Sequence, residues 1–122
     1  MAKPSTKPDT HYMHDIFLKI EKFLESNQRN LWIENRLFKI YVRKSIRKIE
    51  GKVSNFLDLA SFEIKIEDKK GIGNFTYLLT LIEDKIKYNI YVESILNERL
   101  YGFLEKRNYK YFLEQNMYRL IN

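Results

Sequence analysis

No cysteine occurs among the 122 residues, which excludes disulfides, thiolate metal sites and a cysteine nucleophile. Covalent chemistry would have to use serine, lysine or a carboxylate. The absence is compatible with a reducing compartment. Proline is nearly absent too: Pro4 and Pro8 are the only two, and both fall in an opening stretch without apolar periodicity. Residues 1–8 therefore read as a flexible tail, and 9–122 as one domain. No uninterrupted apolar run approaches the ~20 residues of a membrane span. The first residues also lack the apolar centre of a secretory signal. A cytoplasmic protein without a membrane partner is the expectation. A chain of 122 residues that is 44% hydrophobic is long enough for one core and too short for two ordinary domains.

The net charge of +6 is not spread evenly. Between Arg36 and Lys52 stand Arg36, Lys39, Arg43, Lys44, Arg47, Lys48 and Lys52 against Glu50 alone, so this segment accounts for the whole excess. A localised basic strip attracts phosphates, nucleic acid or an acidic protein surface. The competing reading is a solvated hairpin face, in which basic residues simply alternate with apolar ones.

Apolar spacing divides the chain. Asp9 or Thr10 can cap a helix in which Met13, Ile16, Phe17, Ile20, Phe23 and Leu24 recur at steps of three and four, fading near Asn27-Gln28. Asn30 to Asn35 reads as a connection with Leu31, Trp32 and Ile33 buried. From Leu37 the period is two, giving a strand through Arg43, a second short strand from Ile46 to Ile49, and a turn at Glu50-Gly51. Val53 to Ile66 is a longer strand. Simple alternation puts Phe56, Ala60, Phe62, Ile64 and Ile66 on one face, and the first half looks buried on both.

After Glu67-Asp68-Lys69-Lys70 comes Gly71-Ile72-Gly73, then a helix with Phe75, Leu78, Leu79 and Ile82 as its apolar face. A strand from Lys87 to Val92 follows. A third helix is expected from about Ile95 to Arg107, with Ser94 as N-cap and Leu96, Leu100, Phe103 and Leu104 as its stripe. Asn108 would take the left-handed position after it. Tyr109–Leu113 and Met117–Ile121 close the chain as strands. Helix, antiparallel strands and then a strand–helix–strand unit give a mixed α/β sheet covered by helices. A right-handed crossover makes the strands around the middle helix parallel and puts the glycine turn at their carboxyl edge. A turn that empties into a helix offers backbone N–H groups and a positive dipole end, so residues 70–75 are an anion site on physical grounds.

Two phosphate-binding motifs fail here. A P-loop needs Lys-Ser/Thr after its second glycine, and Asn74-Phe75 follow Gly73. A dinucleotide fingerprint needs a third glycine, where Thr76 stands. The run Asp68-Lys69-Lys70-Gly71-Ile72-Gly73, ending a strand and opening a helix, instead resembles the Q/R-x-x-G-x-G/A acyl-CoA motif of the GNAT superfamily of N-acetyltransferases. A second block, Ile90 to Asn97 and on through Phe103 to Tyr109, resembles that superfamily's next strand and helix: Asn97 fits its asparagine, Phe103 its first aromatic and Asn108-Tyr109 its Gly-Phe. The resemblance covers roughly residues 37–122 and is closest to short, phage-type members. Asp68 departs from the usual Gln or Arg, with Lys69 and Lys70 as compensating charge. Leu104 departs from the tyrosine that reprotonates the thiolate.

The resemblance implies an acyl-CoA N-acyltransferase (GNAT-like) fold: an N-terminal helix, then a central, mostly antiparallel sheet with a parallel, splayed strand pair. It implies acetyl-CoA as co-substrate and a primary amine as acceptor, on a protein lysine, an N-terminus or a small molecule. Backbone N–H groups of Gly71, Ile72, Gly73, Asn74 and Phe75 would bind the pyrophosphate. Backbone around Phe62, Glu63 and Ile64 would pair with the pantetheine arm, and Asn97 would bond it from the other side. Glu63 and Glu93 are the implied bases, and Tyr101 an acid in place of Leu104. His11 and His14 share a helix face without a third ligand, so no metal site is expected. The other functional class is a GNAT-fold binding protein without turnover, its basic hairpin contacting nucleic acid or an acidic partner. A monomer or a homodimer fits either.

Overall fold

The computed structural model describes residues 10–65, 73–95 and 98–121, so the tail assigned to 1–8 lies outside the described residues. Helix α1, Thr10–Glu25, buries Met13, Ile16, Phe17, Ile20 and Phe23, the stripe that the three-and-four spacing predicts. The chain then enters a strand rather than a connection: β1, Asn30–Glu34, pairs antiparallel with β2, Phe38–Ile49. Alternation along β1 buries Ile33 and leaves Trp32 half exposed, so Trp32 is not the core residue expected. Nor does β2 break at Lys44-Ser45. The Lys44 ammonium reaches the Ser26 carbonyl and lies 5.0 Å from the Phe23 ring, which lets a charged residue sit on the inner face without ending the strand.

Glu50 and Gly51, both with positive φ (54° and 77°), turn β2 into β3, Lys52–Ile64. Two consecutive positive-φ residues suit the twist of a tight hairpin, and glycine at the second relieves the strain. The β2–β3 register shifts once. Tyr41 faces Ser61 and Val42 faces Leu59, which leaves Ala60 as an extra residue. Because side chains alternate every residue, this bulge exchanges the faces of everything beyond it. Leu57, Leu59, Phe62 and Ile64 thus share the helix-covered side, while Phe56 faces the other way with Asp58. Uniform alternation had put Phe56 with Phe62.

Helix α2, Asn74–Lys85, buries Leu78, Leu79 and Ile82 and packs on α1. Next, β4, Asn89–Val92, lies parallel to β3. Helix α3, Glu98–Lys106, starts later than expected. Ser94 is not its cap: it has φ 57°, its N–H donates to the Asn116 side chain at 3.0 Å, and the Ile95 N–H donates to the Gln115 carbonyl at 2.7 Å. Those bonds hold 94–95 against the loop before the last strand. Asn108 does take the left-handed conformation, φ 71°. The Tyr109 N–H returns to the Leu104 carbonyl at 3.0 Å and the Asn108 N–H to Glu105 at 3.2 Å, a Schellman stop. Strands β5, Lys110–Tyr111, and β6, Met117–Arg119, complete a six-stranded sheet ordered β1-β2-β3-β4-β6-β5. Among the described residues only the β3–β4 pair is parallel.

The main core lies between the sheet and the three helices. A smaller one, Ile49, Phe56, Tyr91 and Tyr118 backed by Phe112 and Leu120, forms on the opposite face from strand and C-terminal residues. Glu83 of α2 is buried and satisfied from the end of α3: the Arg107 guanidinium donates from Nε at 2.7 Å and the Tyr109 hydroxyl at 2.8 Å. Among the described residues no helix is long and apolar enough to cross a membrane.

Candidate functional site

Pairing between β3 and β4 ends at Leu59 and Val92, with a last bond from the Glu93 N–H to the Leu59 carbonyl at 3.1 Å. From there β3 continues to Ile64 while β4 stops, so this length of β3 is paired on its β2 edge alone among the described residues. Unpaired strand backbone beside an opening is a ready acceptor for an extended ligand.

Two adjoining cavities fill the opening. One, about 380 Å³, runs from the start of α2 (Gly73, Asn74, Thr76) past Phe62 and Ile64 to Arg99 and Phe103 of α3. The other, about 350 Å³, lies at the apex between Leu59–Phe62 of β3 and Val92–Ser94. Phe62, Phe75 and Leu100 line both, so together they form one cleft. The ring centroids of Phe62 and Phe75 are 5.1 Å apart, and that pair is the cleft's apolar wall. At its outer end Gly73 caps α2 with φ 79° and no side-chain cap bond. A Cβ there would come within 3.3 Å of the Thr76 hydroxyl.

The cleft thus brings together Phe62, Ile64, Gly73, Asn74, Phe75, Phe103 and Glu93. Glu63 is exposed and faces Lys39 across the β2–β3 pair, on the side away from the helices. Tyr101 is partly exposed and does not line either cavity. Lys69, Lys70, Gly71, Ile72 and Asn97, like Asp68, lie outside the described residues. Leu104 is fully buried in the main core. His14 meets the Tyr77 hydroxyl at 2.9 Å and joins α1 to α2, while His11 lies edge-on to Tyr12.

One part of the site was missed in the sequence. Asp58 is completely buried on the strand side, two residues before the bulge. The Arg47 guanidinium donates to it at 2.7 Å, the Ser45 hydroxyl at 3.2 Å, and Arg43 lies 3.6 Å away. Arg43 in turn is paired with Glu93, and Arg47 is 3.9 Å from that same carboxylate. The Arg47 guanidinium stacks on the Tyr91 ring at 3.7 Å. Burial, reinforced by the Glu93 charge and opposed by Arg47, pushes the Asp58 carboxyl up to about 6. For Glu93, burial is outweighed by hydrogen bonds from Arg43 and Asp58 and by the charge of both arginines, so it is held below the usual range. A lone acidic residue inside the apolar run Phe56-Leu57-Asp58-Leu59-Ala60 was the sequence signal.

The same contacts dissect the basic strip. Arg43 and Arg47 are engaged with carboxylates, Lys44 with the α1 end, and Lys39 lies over the Trp32 ring at 4.6 Å. Arg36, Lys48 and Lys52 are exposed.

No protein-family profile and no characterised protein matches the chain by sequence. Among solved structures it is similar to a mutant AtaT toxin bound to the C-terminus of the antitoxin AtaR, at 15% identity and TM-score 0.51 over 68% of this chain. The chain spans 57% of that toxin's length. The N-terminal helix and the six-stranded mixed sheet with its parallel β3–β4 pair agree with that likeness. The chain has the GNAT fold. More distant likenesses are the same toxin with acetyl-CoA also bound (TM-score 0.48, 15% identity, 68% of this chain and 57% of that one) and the KacTA–DNA complex (0.48, 17%, 87% and 77%). Among the described residues, the cleft between the parted strands combines a helix N-terminus with open strand backbone.

Proposed function

We propose that this GNAT-fold protein is an N-acyltransferase that passes the acyl group of acetyl-CoA to a primary amine. The observation that carries the reading is the continuous cleft, which joins a helix N-terminus to an apolar wall and ends at a carboxylate between two strands. Each part suits one part of an acyl-CoA. Backbone N–H groups at the start of α2 suit the pyrophosphate, and we assign Lys69, Lys70, Gly71 and Ile72 to the same contact. The one-sided edge of β3 around Phe62–Ile64 suits the amide groups of pantetheine, and we assign Asn97 a hydrogen bond to the same arm. Phe75 and Phe103 line the path.

The acceptor nitrogen attacks the thioester carbonyl carbon, its proton passes to a carboxylate, and the C–S bond breaks to release the thiolate. Glu93 is our assignment for that carboxylate, because it borders the apex. Glu63 faces solvent and is the second choice. Leu104 is core, and Tyr101 stands outside the cleft, so in this reading the thiolate takes its proton from solvent.

Isothermal titration with acetyl-CoA tests the proposal. Saturable binding that coenzyme A competes away is expected, together with acetylation of polylysine. Absence of saturable heat would sink it. The second reading, binding without turnover, is favoured by Trp32 packed on Tyr41, with ring centroids 4.7 Å apart and planes tilted by 35°, between Lys39 and Arg43. Steeply salt-dependent DNA binding without acetyl-CoA binding would select it.

A further inference from the structure

Glu93 does not stand alone at the apex. Asp58 pairs in register with Tyr91, so Glu93, two residues on, is its diagonal neighbour on the same face of the sheet. Arg43 touches Glu93 and approaches Asp58, and Arg47 touches Asp58 and approaches Glu93. The groups facing the two carboxyls are therefore Arg43, Ser45 and Arg47 from β2 and Tyr91 from β4, with Asn116 at the Tyr91 hydroxyl. Only Glu93 reaches the cavity wall; the Asp58 side chain is 1% exposed.

We infer that the proton acceptor of this cleft is a pair of carboxyl groups, Glu93 at the cavity wall and Asp58 sealed behind it, clamped together by Arg43 and Arg47. The inference rests on the acyl-transfer reading above. With both carboxyls ionised, the two guanidinium groups balance their charge. The proton lost by the acceptor nitrogen lands on a Glu93 oxygen and is shared with Asp58. The C–S bond breaks as the C–N bond forms, the thiolate leaves, and the proton later returns to water through Glu93. Glu93 touches the reacting amine, and Asp58 is a positioning residue that acts through it. A carboxylate hemmed in by two arginines is a weak base by itself. A second carboxyl beside it strengthens proton affinity, since two like charges resist simultaneous ionisation.

The test is carboxyl 13C NMR of the full chain, assigned through bonds, across pH 3–9 for the wild type and Glu93→Gln. Acetyl-CoA titration calorimetry is run on both samples. Coupling predicts that Glu93→Gln lowers the Asp58 midpoint, raising its ionisation constant about tenfold or more. In polylysine acetylation, Asp58→Asn should move the acid limb of the pH–rate profile to lower pH and reduce the plateau about tenfold. A purely structural Asp58 would lower the rate without moving the limb. An Asp58 midpoint unmoved by Glu93→Gln, with acetyl-CoA still bound, overturns the pair and leaves the acyltransferase reading standing. Failure of both proteins to bind acetyl-CoA overturns both. If Asp58→Asn does not fold, the Glu93→Gln titration decides alone.

Discussion

Arg47 reaches across the β2–β3 pair to donate to Asp58 at 2.7 Å, while its guanidinium carbon lies over the Tyr91 ring of the next strand, 3.7 Å from the centroid. One side chain thus fastens three strands just before the sheet parts. Removing Asp58 would leave that guanidinium without its closest partner. Asp58→Ala should cost about 3 kcal/mol in denaturant unfolding, in the range for breaking one side of a buried pair. A cost below about 1 kcal/mol would mean that the network contributes little to stability.

The same carboxyl makes stability depend on pH. Its folded value of about 6 lies above the ordinary carboxyl value of 3.8, so folding favours the protonated form. The associated stability is fully present below about 3.8 and is lost as pH rises through about 6. Glu93 opposes this, because its depressed folded value gives stability that is lost as pH falls through it. Unfolding measured from pH 4.5 to 7 should therefore show wild-type stability falling relative to Asp58→Asn. Parallel curves would refute the assignment.

Gly73 joins a left-handed φ to a neighbour that a Cβ would crowd. Gly73→Ala should cost about 1 kcal/mol of stability and weaken acetyl-CoA binding by distorting the first turn of α2. Gly51→Ala has open space around it but an equally positive φ, and serves as control. It should lose similar stability while keeping the affinity, read by calorimetry.

Glu93→Gln removes charge but keeps shape. It should leave acetyl-CoA affinity within about twofold and lower the transfer rate by about a hundredfold, the usual scale of a positioned base. Equal loss in Glu63→Gln would shift the role to the outer carboxylate.

Tyr109→Phe deletes the hydroxyl that donates to buried Glu83. A loss of about 1–2 kcal/mol is expected, and Arg107→Ala should lose more because Glu83 then keeps a single neutral donor. Both effects should show in the unfolding midpoint without changing acetyl-CoA affinity.

The helices, the Glu50-Gly51 turn, the parallel strands around α2 and the left-handed Asn108 were legible in the chain, because local spacing and φ preferences decide them. The α1 and α2 stripes became their buried faces. Trp32 misled, since a large apolar side chain on an outer strand can lie on either face. The long strand misled at Ala60, because a bulge is set by the partner's register and leaves no mark in the alternation of one strand. That single residue turns Phe62 towards the cleft. Of the residues that line the cleft, Phe62, Ile64, Gly73, Asn74, Phe75, Phe103 and Glu93 could be named from the chain. Asp58 could not, because its significance arises only where Arg43, Arg47 and Glu93 converge from two other strands. The sequence determined, through periodicity and turn chemistry, which elements form and in what order. Tertiary structure decided which faces meet and which charges are sealed from water, since register, burial and the pairing of distant charges are properties of strands in contact.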